Sequence, residues 1–152
     1  MKLSLLSILV SLIFLSVSSG CHYPNYFYVS NSLADPSTIK VKYGDSYRRY
    51  STIGQAVRYK DSLIKKATPE TFSSLNQQLN IRAINSKETE IFLPASGTVL
   101  IGIGSTGIPP SIDSVYITTI ERTTAYSWAK FMKSSKRSGG FFSSMFTLYN
   151  VK

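Results

Sequence analysis

Few residues of this chain have the types and spacing that chemistry demands. Glu88 and Glu90 sit two apart in a strand-like run, so both carboxylates fall on one face. Acid–base work on a glycan needs two acids across a cleft with separated pKa values. The acids available for such a pair are Asp45, Asp61, Glu88, Glu90 and Asp113, and two glutamates on a hairpin edge are more often solubility residues than a catalytic pair. The single histidine, His22, has no neighbouring acid, so it builds neither a triad nor a metal site. Serines are many, but no Gly-x-Ser-x-Gly elbow is present. Gly102-Ile103-Gly104-Ser105-Thr106-Gly107 has the glycine spacing of a dinucleotide-binding loop. That loop works only where a helix begins and its amides meet the pyrophosphate. Here Ile108-Pro109-Pro110 follows, and proline disfavours helix at the residue before it. These glycines read as turn and close-packing residues. The expectation is a protein with no catalytic site, no metal and no cofactor.

Binding chemistry has a better candidate. Tyr47, Tyr50 and Tyr59 interleave with Arg48, Arg49, Arg58 and Lys60. Tyrosine and arginine together give contact area plus directional hydrogen bonds, which favours them at interfaces. The competing reading is that half of these tyrosines pack a sheet with their hydroxyls at its rim. The whole chain carries a formal charge of +9, and eight of its basic residues lie between Lys40 and Lys66, opposed there only by Asp45 and Asp61. Inside a cell such a surplus points first to nucleic acid. Outside the cytoplasm the polyanions are lipid head groups and acidic glycans, and each basic residue near anionic lipid contributes about 1 kcal/mol. The plainer alternative is a solvated face that aids solubility.

Cys21 decides which compartment applies. It is the only cysteine, so no internal disulfide holds this fold. Before it run Met1-Lys2, an apolar stretch from Leu3 to Val17, and the small residues Ser18-Ser19-Gly20. A charged start, a short apolar run and a small-residue boundary describe an export signal. The stretch is short for a membrane span, which needs about 20 apolar residues. This ending resembles a bacterial lipoprotein signal, in which a cysteine follows small residues and becomes the acylated first residue. The resemblance covers residues 1–21 only. It implies cleavage after Gly20, acyl chains on Cys21, and, because His22 replaces the aspartate that holds such proteins at the inner membrane, an outer-membrane destination. Ser18 and Gly20 also suit an ordinary signal peptidase, which would leave a soluble secreted chain. No Asn-x-Ser/Thr sequon occurs, which fits a bacterial exported protein.

After a tether over residues 21–24, residues 25–152 are long enough for one domain burying about two thirds of its unfolded surface. Ten Tyr and eight Phe, with many Thr, Ile and Val, favour strands. Asn25–Asn31 reads as a first strand, and Thr38–Tyr43 as a second that pairs with it in a hairpin, burying Ile39, Val41 and Tyr43. Tyr47–Lys60 is open between an edge strand, a small helix and a loop. Thr68-Pro69-Glu70 starts a helix, with a capping threonine, proline at the first position and an acid near the positive end. Phe72, Leu75 and Leu79 carry that helix to about Leu79. Asn80–Asn85 reads as a short strand. Glu88–Leu93 and Thr98–Ile103 flank Pro94-Ala95-Ser96-Gly97, which makes either a hairpin or a corner between sheets. Another strand starts at Val115, and Tyr126–Lys133 reads as a second short helix grouping Trp128, Phe131 and Met132. Ser134–Gly140 reads as a basic turn, and Phe141–Val151 closes the domain.

The fold class is therefore mainly β: a small antiparallel β-sandwich or partly closed barrel of about six or seven strands with one short amphipathic helix. The expected function is a non-catalytic cell-envelope lipoprotein, a binding or assembly component at the membrane surface. Its partners would be the membrane through acylated Cys21 and an anionic lipid, a glycan or an envelope protein, with no nucleic acid. The alternatives are a soluble secreted polyanion- or glycan-binding protein and a secreted carboxylate-dependent glycan hydrolase.

Overall fold

A computed structural model describes residues 23–44, 56–105, 111–139 and 144–152. Among these, ten strands form one curled, partly closed sheet in the order β8-β7-β2-β5-β4-β3-β6-β1-β10-β9. The strands are β1 (Pro24–Asn31), β2 (Ser37–Tyr43), β3 (Ala56–Lys60), β4 (Gln77–Asn85), β5 (Glu88–Leu93), β6 (Thr98–Ser105), β7 (Ile112–Thr118), β8 (Thr123–Ser127), β9 (Lys136–Ser138) and β10 (Met145–Val151). Two short helices, α1 (Pro69–Ser74) and α2 (Trp128–Ser134), complete the described elements. All of them, and both cores below, are built from residues 23–152.

The curl comes from β4. Its first half pairs with β3, Leu79 opposite Val57, and its second half pairs with β5, Ile81 opposite Ile91. One strand thus passes from one wall to the other. A second crossing is the Pro94–Gly97 connection, which is the corner between walls and not a hairpin. Before it, β5 pairs with β2 and β4; after it, β6 pairs with β1 and β3. Gly97 is required there, because a Cβ would stand 2.6 Å from Tyr59 Cε2. Buried Asn31 fastens the corner: its side-chain amide donates to the carbonyls of Asp35 (2.8 Å) and Pro94 (3.1 Å), and its oxygen accepts from the Leu33 amide (3.1 Å).

The main core lies inside the curl. Alternation on β2 puts Ile39, Val41 and Tyr43 there, and Val29, Leu93, Val99 and Val115 join them. A second cluster sits on the outer side of β1, β6 and β10, where Tyr28, Leu100, Phe146 and Leu148 pack against Ala67 and Leu75. The central strand β1 is therefore covered on both faces, and Phe27 to Asn31 are all buried.

Several expectations are corrected: the described residues hold ten strands where six or seven were expected. β2 pairs with β5 and β7, not with β1. The helix stops at Ser74, because the chain turns at Leu75-Asn76 and residues 77–80 join β3 as strand. Residues 136–138 are an edge strand beside β10 instead of a turn. The sheet is not wholly antiparallel either, since β1 and β10 run parallel.

The opening between the two ends of the sheet is filled by α2. Ser127 caps it, accepting from the Lys130 amide at 3.4 Å. Phe131, fully buried, stacks on Trp128 and on Tyr149 of β10, and Tyr126 of β8 meets its edge. The Tyr126 and Tyr149 hydroxyls share a hydrogen bond of 2.6 Å, so β8 reaches β10 through side chains without backbone pairing.

Candidate functional site

Of the residues singled out for binding, Cys21, Tyr47, Arg48, Arg49 and Tyr50 lie outside the described residues, as do His22 and Asp45. Arg58, Tyr59 and Lys60 stand on β3, an interior strand between β4 and β6. Tyr59 is a core residue, 5% exposed, and this corrects its placement on a contact surface. Its hydroxyl donates to Asp61 at 2.9 Å, and burial, with that bond, pushes its pKa up to about 12. Arg58 is exposed and lies 4.4 Å over the Phe72 ring. Such a contact at an exposed site contributes about 0.5–1 kcal/mol. Phe72 meets Tyr26 (4.9 Å between ring centres), and Tyr26 stacks on Phe146 (5.5 Å, 9° between planes). Arg58 therefore caps a column of three rings that holds α1 to the sheet.

Two of the described carboxylates, Glu88 and Glu90, face basic partners. Glu88 stands opposite Lys42 and Glu90 opposite Lys40 across the β2–β5 register. Arg82 lies 3.6 Å from Glu90 as an exposed ion pair, which contributes little to stability. Glu70, at the start of α1, hydrogen-bonds the Thr68 side chain, which holds its carboxyl below the usual range. Among the described residues no three His, Cys, Asp or Glu gather to hold a metal. No helix among them is long and apolar enough to cross a membrane.

What sequence spacing did not reveal is an approach of distant basic residues. Residues 61–76 form a strap over the outer core. It leaves β3, crosses β6, β1 and β10, reaches β9, and returns through α1 to β4. Thr98 fastens its first part: its hydroxyl donates to the Ser62 carbonyl (2.9 Å), accepts from the Ile64 amide (3.3 Å) and lies 2.5 Å from the buried Ser30 hydroxyl. The Ser138 hydroxyl of β9 donates to the Ala67 carbonyl and fastens the far end. That bond brings the end of the strap, with exposed Lys65 and Lys66, to β9, where exposed Lys136 shares the face of Ser138. Lys136 stands opposite Leu148, on the strap side of the sheet. A signal was present: from Arg122 to Lys152 the chain has six basic residues and no acid. Short basic edge strands such as β9 also discourage strand addition.

Searches of protein-family models, curated proteins and solved structures give no match to this chain.

Proposed function

We propose that this chain is a non-catalytic cell-envelope lipoprotein, a binding or assembly component carried at the membrane surface by an acylated Cys21. The observation that carries the reading is the start of β1 at Pro24. Only two residues separate Cys21 from a strand buried on both faces, so the anchor joins the centre of the fold with almost no slack. At about 3.3–3.6 Å per residue the tether reaches roughly 10 Å. The domain would thus ride against the bilayer. The cross-strand matching of Glu88 with Lys42 and Glu90 with Lys40 supports a binding role over carboxylate catalysis.

Intact mass of the mature protein, with fractionation of a Cys21→Ser variant, tests this. The expected wild-type mass is that of a chain starting at Cys21 plus its acyl groups, recovered in the membrane pellet. The Ser variant should fold and appear in the soluble fraction. A Ser variant that stays in the pellet after a carbonate wash sinks the anchor, and an unmodified mature mass favours the soluble secreted alternative.

A further inference from the structure

The strap has two faces. Ile64 and Ala67 point into the outer core, whereas Leu63 is 41% exposed with Lys65 and Lys66 exposed beside it. Hydrogen bonds to Ser62, Ile64 and Ala67 bracket this stretch, so Leu63 is held outward on a fixed backbone. Lys136 joins from β9, and Ile103, 51% exposed, stands opposite Tyr26 on the same outer face. An exposed apolar side chain on the same outer face as exposed lysines is the pattern of interfacial lipid binding, where apolar contact and attraction to anionic head groups add. The acids on the strap are Asp61, engaged by the Tyr59 hydroxyl, and Glu70 on α1.

We propose that the outer face of this strap, Leu63 with Lys65, Lys66 and Lys136, docks on an anionic phospholipid bilayer. The choice of a bilayer rests on the envelope reading above, and the position of the tether agrees with it. Through β10, Lys136 shares a sheet row with Tyr28, four residues along from Pro24 and two strands across. At about 3.3 Å per residue and 4.8 Å per strand that is roughly 16 Å from the start of β1. A tether of about 10 Å then keeps the face close to the surface, near the screening length of about 8–10 Å over which the attraction acts.

The test uses the chain from Tyr23 onward, which contains every described element, and sedimentation with vesicles of phosphatidylglycerol and phosphatidylcholine in equal parts. Binding is expected to these vesicles and not to phosphatidylcholine alone. Lys65→Gln with Lys66→Gln should lower partitioning about twenty-fivefold, since each lysine near anionic lipid contributes about fivefold. Leu63→Ser should lower it as well, and that loss should persist in 1 M salt, where screening shortens to about 3 Å. Arg82→Gln with Lys87→Gln removes the same charge from the other wall and should leave partitioning within about twofold. Equal losses in the two double variants would mean that net charge alone binds, and would overturn the proposal. So would no binding to the anionic vesicles. Binding to soluble dextran sulfate as tight as to vesicles, unaffected by Leu63→Ser, would assign the face to a polyanion instead. The chain tested carries no lipid, so this result and the mass of the mature protein fail independently.

Discussion

A buried tyrosine ionises late, because burial removes the water that would stabilise its phenolate. Tyr28, Tyr59 and Tyr149 are all held above the ordinary value of 10, each chiefly by burial. The neighbouring Tyr26 adds to the effect at Tyr28, Asp61 at Tyr59 and Tyr126 at Tyr149. A group whose folded pKa is raised stabilises the fold fully below its unfolded pKa and loses that contribution as pH rises through the folded value. For Tyr59 the window runs from about 10 to about 12. Stability measured by urea titration should therefore fall across this range, and Tyr59→Phe should make the fall shallower. A slope identical in the Phe variant would show that Tyr59 ionises freely in the folded protein. The role of Tyr59 was only half legible in the sequence: its alternation with Arg58 and Lys60 is clear, but neighbours along a strand do not say which face is covered on both sides.

Elements were legible wherever local chemistry and tertiary demand agreed. β2 alternates because one face is buried, and α1 starts at Thr68-Pro69-Glu70 as its capping residues require. The Thr68 amide donates to the Thr71 hydroxyl at 2.8 Å. The end of α1 was not legible, because Leu79 keeps helical spacing from Leu75 yet its amide belongs to a sheet. Pairing with β3 outweighs propensity there. Leu75 is 1% exposed just past the last helical turn and fills the outer core. Leu75→Ala should cost about 2–4 kcal/mol in chemical denaturation. Ser74→Ala removes only a hydroxyl that donates to the Thr71 carbonyl at 2.9 Å, and should cost less than about 1 kcal/mol. Equal small costs would mean that the strap lies loosely on the sheet.

At the scale of the whole molecule, the fold class was readable from composition and alternation, but the strand order was not. Which strands pair depends on connections that pass between walls, and the corner after Leu93 has the residues of a hairpin turn. The approach of Lys65-Lys66 to Lys136 was hidden for the same reason: about 70 residues separate the hydrogen-bonded Ala67 and Ser138. Closure of the curl depends on Phe131, which touches rings from both ends of the sheet. Phe131→Ala should cost about 3–5 kcal/mol and shift the emission of Trp128, whose ring centre lies 5.5 Å away. A cost below about 1 kcal/mol, with unchanged emission, would show that α2 is not the closing piece.

The parallel pairing of β1 with β10 sets the tempo at which this chain acquires structure. Asn25 finds Met145, about 120 positions further on, and the last pair joins Asn31 to Val151, just as far away. Contacts that distant must close a very long loop before they repay its entropy, and folds dominated by them form slowly. A chain emerging from the ribosome cannot seat β1 against β10 until residues 145–151 have been made. Until then β1 has β6 alone as a neighbour, and one long apolar edge stays open to mispairing.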